Sequence, residues 1–344
     1  MNAVSNEHDL KERLLAWMRG DAGAFGSFNE AALAVFGHQF ERNSSYRRYC
    51  EALGVKGPLT DWTDIPALPT DAFKFPAHPP RCFPQEEVVK YFLTSGTTRD
   101  VRGRHDFDDL ALYETSIMVG WKQLGLPDIA NPWFLSQSPD VVPHSSLAHM
   151  FGVMDRPHST KRWMIDPEGV IHSKGLETGE PIQLFSTALA LLKMSESHPP
   201  VALAEGSWIF ETGGYKGLRE ALDPELFRGK VAEHFGVPTA QILNEYSMTE
   251  LSSQFYRWPD EPAHRGPEWT RIRVVNPETG KAADEGEPGY LEIIDLANLG
   301  SVAAIRTQDL AIARGDSSFT LLGRDPGALP RGCSRATDDL LSRR

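Results

Sequence analysis

Two short segments of the chain carry side chains suited to holding nucleotide phosphates. The first, Thr94-Ser95-Gly96-Thr97-Thr98, follows the apolar run VVKYFL, which predicts a buried strand over 88–93. Hydroxyls and main-chain N–H groups at such a turn can bind an anion, and Gly96 lets the main chain approach a phosphate closely. The segment lacks the Walker pattern of a P-loop, and a Ser/Thr-rich turn alone is weakly specific for nucleotides.

The second segment is Asn244-Glu245-Tyr246-Ser247-Met248-Thr249-Glu250, which continues the predicted strand QILNEYS at 241–247. The Tyr246 ring could stack on a purine, and Thr249 could donate a hydrogen bond to a phosphate. Glu250 offers a hard oxygen ligand for Mg²⁺, the metal that accompanies nucleotide phosphates. The alternative for Glu250 is a solvated or ion-paired carboxylate.

Composition narrows the class of protein. The chain has 344 residues, of which 40% are hydrophobic and 24% charged, as in ordinary globular proteins. A net charge of −12 argues against nucleic acid or an anionic membrane as a partner. The three cysteines, Cys50, Cys82 and Cys333, form no CxxC pair and are typical of a reducing compartment. With no apolar leader and no apolar run of 18 residues, we expect a cytoplasmic protein without a membrane span.

The elements that would position the two segments can be read from periodicity. Apolar residues at helical spacing predict helices over 7–19 and 28–53. Seven prolines within 58–84 exclude long helices there, yet the apolar residues between them favour an ordered extended segment that packs on the domain. A helix is predicted around 108–124.

The middle of the chain alternates strands and helices. Strands are predicted over 132–136, 207–211 and 241–247, with helices over 185–195 and 216–234. This order predicts an α/β fold with a mostly parallel sheet. Beyond residue 270, short strands separated by turns predict an antiparallel β subdomain: Ile272–Val275, Tyr290–Ile294, Ala303–Thr307 and Phe319–Leu322.

Taken together, the two segments resemble those of the adenylate-forming superfamily, which combines a phosphate loop with a later Tyr-Gly-Met-Thr-Glu type motif. More closely, the chain resembles the acyl-protein synthetases of the LuxE family, which activate fatty acids for the reductase system of luminescent bacteria. The resemblance covers nearly the whole chain. It rests on IPALPTDAFKF (65–75), YFLTSGTT (91–98), SSLAHMFG (145–152), FETGGYKG (210–217), NEYSMTELSSQFY (244–256) and LLGRDPGALPRGCS (321–334).

The resemblance implies a fold and a reaction. We expect a single domain over 1–344, with a helical part (1–57), an α/β core (58–265), and a β subdomain with a C-terminal tail (266–344). The mobile C-terminal domain of typical superfamily ligases, with its catalytic lysine, would be absent. The implied reaction is ATP-dependent activation of a fatty acid to acyl-AMP, followed by transfer to a protein thiol and delivery to an acyl-protein reductase.

The resemblance also implies roles for individual residues, with ATP and Mg²⁺ as cofactors. Thr94, Ser95, Gly96, Thr97 and Thr98 would hold the β- and γ-phosphates. Gly213, Gly214 and Tyr246 would flank the adenine. Thr249 and Glu250 would serve the α-phosphate and Mg²⁺, while Asp309 and Arg324 would bind the ribose. For Asp309 and Arg324, the residues alone favour a surface ion pair.

Three positions depart from the family pattern. Arg99 and Gln308 stand where glycine is usual, and Ser247 replaces the glycine of the Tyr-Gly-Met-Thr-Glu form. Each adds bulk near the nucleotide, so two other interpretations stay open. The chain could form acyl-CoA or load a carrier protein, or it could be a degenerate adenylation domain that acts as a non-catalytic partner subunit.

Cys333 is the candidate acyl acceptor, because the family's acceptor cysteine also lies near the C-terminus in a similar Arg-Gly-Cys context. Arg331 and Arg335 flank it and would favour the thiolate, the form that attacks a mixed anhydride. The alternative is a free cysteine near a chain end. His144 and His149, near the expected acyl pocket, are more typical of structural histidines.

Overall fold

The computed structural model describes residues 3–94, 101–213 and 223–325. The chain forms two compact units. The terminal unit comprises Met1–Leu124, Met248–Ser253 and Arg265–Arg344, and the central unit comprises Gly125–Ser247 and Gln254–His264.

The terminal unit begins with three helices, α1 (Ala3–Met18), α2 (Phe28–Arg42) and α3 (Ser44–Ala52). The sequence predicted one or two helices over 28–53, and the structure has two, divided at Asn43, whose side chain accepts a hydrogen bond from the Tyr46 N–H and caps α3. The apolar face predicted for the first helix is buried at Leu10, Leu14, Leu15 and Met18.

The proline-rich segment is ordered, as predicted. It contains the 3₁₀ turns Trp62–Asp64, Thr70–Lys74 and Gln85–Glu87 and the short strand β1 (Leu68–Pro69). Strand β1 pairs in parallel with a strand near the end of the described chain, with Leu68 opposite Ile305. Ile65, Leu68 and Phe73 are buried, so this segment contributes to the core of the terminal unit.

A hairpin follows, formed by β2 (Lys90–Leu93) and β3 (Arg104–Phe107), before α4 (Ala111–Gln123). The two strands are antiparallel and form a sheet of their own, with Phe92 opposite His105. The strand predicted over 88–93 is present as β2, but Phe92 is its one buried residue, so the prediction that the strand is buried was wrong. Its partner strand is RHDF, a run with three polar residues.

The last strands of the terminal unit form an antiparallel sheet, which confirms the predicted β subdomain. Its order is β10 (Thr270–Val275), β11 (Gly289–Asp295), β12 (Ala304–Ala313) and β13 (Ser318–Arg324). Gly289 is required where β11 approaches β10, because a Cβ there would lie 2.4 Å from the Val275 carbonyl oxygen. The two-residue strand β9 (His264–Arg265) lies where the chain enters this unit.

The central unit contains the predicted parallel sheet. Its strands β4 (Pro132–Leu135), β5 (Gln183–Thr187), β6 (Trp208–Thr212) and β7 (Ile242–Tyr246) are adjacent in chain order and parallel. Strand β8 (Phe255–Arg257) adds to β7 in antiparallel fashion. The connections contain α5 (Ser146–Asp155), α6 (Ala188–Ser197), α7 (Pro224–Phe235) and the 3₁₀ turn Thr239–Gln241.

The parallel sheet is buried on both faces, as parallel sheets usually are. One face packs aromatic rings, with Phe185 and Phe210 5.2 Å apart at their centroids. The other face packs an aliphatic cluster that includes Ile209 and Ile242 and residues of α6 and α7. The predicted α/β class with a mostly parallel sheet and an antiparallel β region is therefore confirmed. Within the described ranges, every helix is too short or too polar to cross a lipid bilayer.

Candidate functional site

In the terminal unit, Thr94 and Gly103, on either side of the predicted phosphate loop, are hydrogen-bonded to each other. The Thr94 N–H donates to the Gly103 carbonyl at 2.9 Å, and the Gly103 N–H donates to the Thr94 hydroxyl at 2.8 Å. A Cβ on Gly103 would lie 2.9 Å from the Thr94 side chain, so glycine permits this close pairing. Ser95, Gly96, Thr97 and Thr98, together with Arg99, lie outside the described residues.

The Thr249–Glu250 segment belongs to the same unit and is held by side chains from two directions. The His105 ring, on β3, places Nδ1 2.8 Å from the Thr249 carbonyl oxygen. From the other side, the Asn298 amide donates to the Glu250 carbonyl oxygen at 2.8 Å. Glu250 itself is 7% exposed, and its carboxylate is therefore largely withdrawn from solvent.

Asp295, at the end of β11, anchors the residues that follow this motif. One carboxylate oxygen accepts hydrogen bonds from the Ser252 and Ser253 N–H groups, each at 2.8 Å, and the other accepts from the Ser253 hydroxyl at 2.7 Å. Burial raises the pKa of Asp295, and these hydrogen bonds act against that rise because they favour the charged form. The Trp269 indole donates to the same Ser253 hydroxyl at 2.9 Å.

These contacts connect Thr94 and the Thr249–Glu250 segment to the same hairpin. Gly103, which closes the loop at Thr94, is two residues before His105, which contacts Thr249. In sequence, Thr94 and Tyr246 are 152 residues apart. Gly103, which immediately precedes β3, nevertheless contacts Thr94, and His105, within β3, contacts Thr249. Burial lowers the pKa of His105 to about 4, despite the opposing effects of its hydrogen bond to Thr249 and of the nearby Asp106.

The central unit places Gly213 and Tyr246 at the carboxyl ends of neighbouring parallel strands. Thr212 and Glu245, the residues just before them, are register partners in β6 and β7. Gly213 has φ +84°, a conformation that strongly favours glycine, and a Cβ there would meet no described atom within 4 Å. The buried Tyr246 ring lies 6.5 Å from that of Phe255. Gly214 lies outside the described residues.

Asp309 and Arg324 are register partners in β12 and β13 of the terminal unit. Gln308, one of the departures from the family pattern, donates to an Asp71 carboxylate oxygen at 3.1 Å and accepts a hydrogen bond from the Arg324 guanidinium. Its side chain therefore links the proline-rich segment to the end of β13.

Comparison with known proteins finds sequences and structures similar to this chain. The family model for acyl-protein synthetase, LuxE, matches residues 10–117. A long-chain-fatty-acid–luciferin-component ligase of Vibrio harveyi is 23% identical over 302 residues, covering 81% of this chain and 77% of that protein. The protein of the same name from Aliivibrio fischeri is 24% identical over 306 residues, with the same coverage. The chain is therefore similar to the acyl-protein synthetases of the LuxE family, by the family model over residues 10–117 and by these two relatives over most of its length.

Solved structures of adenylate-forming enzymes share the fold of this chain. ATP-bound MatB from Rhodopseudomonas palustris matches 71% of this chain with a TM-score of 0.50 and 15% identity. This chain spans about half of MatB, 49% of its length. An open conformation of 2-hydroxyisobutyryl-CoA ligase, in complex with 2-HIB-AMP and CoA, matches 86% of this chain and 75% of its own, with a TM-score of 0.57 and 15% identity.

Two buried carboxyl groups, Glu211 and Glu245, lie beside the predicted adenine residues and were not among the site residues predicted from the sequence. The Asn244 amide donates to Glu211 at 2.6 Å, and Asn244 in turn lies 2.6 Å from His264 Nε2. Glu245 accepts a hydrogen bond from the Thr212 hydroxyl. Burial raises the pKa of both Glu211 and Glu245 to about 7. Both glutamates lie inside motifs quoted from the sequence, FETGGYKG and NEYSMTELSSQFY, and a polar residue within an apolar run was the one signal that they are buried.

The structure also bears on the choice of acyl-accepting thiol. Cys333 lies outside the described residues, so its role stays a prediction. Cys50 and Cys82 are buried, and burial raises the pKa of both thiols, that of Cys50 to about 12. Since the thiolate is the nucleophile, neither is suited to attack an acyl-adenylate.

Proposed function

We propose that this chain uses ATP to activate a fatty acid as acyl-AMP and then transfers the acyl group to a protein cysteine, for delivery to an acyl-protein reductase. The observation that supports this most strongly is the convergence of Thr94 and the Thr249–Glu250 segment on the β2–β3 hairpin. In a LuxE-family chain, these are the residues expected to meet the phosphates. The names of the curated relatives agree with an acid–thiol ligase.

The chemistry of the donor set fits ATP and Mg²⁺. Mg²⁺ is usually held by one or two carboxylates together with phosphate oxygens and water, so the single carboxylate of Glu250 suffices from the protein. When bound, Mg²⁺ would neutralise phosphate charge as pyrophosphate leaves. The Thr249 hydroxyl would donate to the α-phosphate, while Thr94 and the four residues after it would orient the β- and γ-phosphates.

Residues at the ends of parallel strands and residues of antiparallel strands would hold the nucleoside. Tyr246 would cover the adenine, and the missing side chains of Gly213 and Gly214 would let the main chain pass beside the ring. Asp309 would accept hydrogen bonds from the ribose hydroxyls, with Arg324 assisting. The open space beside Gly213 and the pairing of Asp309 with Arg324 support these roles.

In the transfer step, the Cys333 thiolate would attack the acyl carbonyl carbon. A C–S bond forms, the bond from that carbon to the AMP phosphate oxygen breaks, and AMP leaves with its electron pair. The thiol proton is released to solvent before attack, which Arg331 and Arg335 would favour by stabilising the thiolate. Because this chemistry requires ATP and a reduced thiol, we also propose a cytoplasmic location.

Acid-dependent exchange of labelled pyrophosphate into ATP tests the proposal, using saturated acids of several chain lengths and an aryl acid. Exchange with fatty acids is the expected result. Exchange that leads only to acyl-CoA when CoA is supplied, with no label on protein, would favour the acyl-CoA ligase alternative. Absence of exchange with every acid would favour the non-catalytic partner subunit.

A further inference from the structure

His105 is a buried polar residue that the proposed roles leave without a function. It lies on β3 and is 1% exposed. Its ring packs against Phe107, with centroids 4.2 Å apart, and against the edge of Phe73 at 5.5 Å. A phenylalanine at this position could make the same aromatic contacts. The polar nitrogen atoms of the His105 ring therefore need another explanation.

The hydrogen bond of His105 has a fixed direction. Nδ1 lies 2.8 Å from the Thr249 carbonyl oxygen, and a carbonyl oxygen can only accept. Nδ1 therefore carries the proton and donates it, whatever the state of Nε2. The contact thus runs from a rigid strand to the main chain between Thr249 and Glu250.

The strand that supplies this donor is itself held firmly. Gly103, two residues earlier, exchanges two hydrogen bonds with Thr94 at the start of the phosphate loop. Asp106, the next residue, forms ion pairs with both Arg81 and Arg104. A movement of β3 would therefore shift the loop entrance and the Thr249 carbonyl together.

We propose that His105 is a positioning residue of the adenylation reaction, whose Nδ1 donor holds the Thr249 main chain and so fixes Glu250 relative to Thr94. This inference rests on the proposed function, because Thr249 and Glu250 act there on the α-phosphate and Mg²⁺. A displaced carboxylate would stabilise departing pyrophosphate less well, so the effect falls on the rate of the chemical step.

Three variants separate the hydrogen bond from packing. In His105→Asn the amide nitrogen is as many bonds from Cβ as Nδ1, whereas in His105→Gln it is one bond farther. His105→Phe fills the space but has no donor. We expect kcat of the exchange reaction to fall about tenfold or more in His105→Phe and in His105→Gln, which lack a donor at the position of Nδ1. In His105→Asn the fall should be only about threefold. KM for the acid should be unchanged in all three variants. A packing role predicts the reverse order, since phenylalanine fills the aromatic surroundings better than asparagine.

Hydrogen–deuterium exchange of the peptide spanning 247–253 provides a readout that needs no activity. We expect faster exchange than wild type in His105→Phe and near wild-type exchange in His105→Asn. If the wild-type protein catalyses no pyrophosphate exchange, the proposed function and the catalytic part of this inference are refuted. The deuterium data alone would then decide whether His105 holds the segment 247–253. Equal kcat in His105→Phe and wild type, or equal protection of 247–253, would overturn the inference.

Discussion

Glu211 and Glu245 lie on adjacent parallel strands but on opposite faces of the central sheet. In register, Glu211 faces Asn244 and Glu245 faces Thr212, and neighbouring residues of a strand point to opposite faces. Each carboxyl group is buried, and burial raises the pKa of each to about 7 from an ordinary value of 4.5. The central unit therefore contains two glutamates that retain their protons well above the pH at which a glutamate side chain usually ionises.

We expect the free energy of unfolding to decrease as pH rises from about 4.5 to 7. In that window the unfolded chain ionises both glutamates while the folded chain keeps them protonated, so unfolding releases protons and is favoured by higher pH. The stabilisation is fully present below pH 4.5, and its loss is of the order of 2–3 kcal/mol per group. Urea denaturation across this range measures it.

Glu211→Gln and Glu245→Gln should each flatten this pH dependence, because glutamine cannot ionise. The exposed Glu177 provides the matched control, and Glu177→Gln should retain the wild-type slope. A slope unchanged in both buried variants would show that these groups titrate alike in the folded and unfolded chain.

Asp295→Asn should lower the free energy of unfolding by about 2–4 kcal/mol, because an amide presents N–H groups where the Ser252 and Ser253 N–H groups and the Ser253 hydroxyl need an acceptor. Thermal denaturation measures the effect. Asp284, which is exposed, is the control, and Asp284→Asn should leave the transition within about 0.5 kcal/mol of wild type.

Glu250→Gln should reduce acid-dependent pyrophosphate exchange at least ~100-fold while leaving the circular dichroism spectrum unchanged. The amide keeps the shape of the side chain but removes the charge that Mg²⁺ requires. Glu268→Gln, at an exposed residue outside the predicted site, should keep full activity. Normal exchange in Glu250→Gln would disprove the metal-binding role.

Cys333→Ser should abolish the covalent labelling that wild type shows with radioactive fatty acid and ATP, while pyrophosphate exchange continues. The label on wild type should be released by hydroxylamine, as expected for a thioester. Because the Cys50 and Cys82 thiols are buried with raised pKa values, we expect neither to take over the acyl group. Hydroxylamine-labile label at the wild-type level on Cys333→Ser would exclude this residue as the acceptor.

The sequence predicted the features that depend on local pattern. The buried face of α1, the antiparallel strands after residue 270 and the motif around Thr249 and Glu250 all follow from periodicity or residue order. The pairing of β3 with β2 did not, because His105 and Asp106 read as exposed polar residues. Both are buried, and their polar groups are satisfied by Thr249, Arg81 and Arg104, residues that only the folded chain brings near.

The pairing of β1 with β12 has a consequence for biosynthesis. Leu68 can take its place only after Ile305 has been made, and the nearby contact between Asp71 and Gln308 spans 237 residues. Because domains fold during synthesis as their residues leave the ribosome, the central unit can assemble while the proline-rich segment still awaits its partner strand. Folding of the terminal unit therefore requires the early strand β1 to pair with the late strand β12. Contacts between residues so far apart in sequence form slowly.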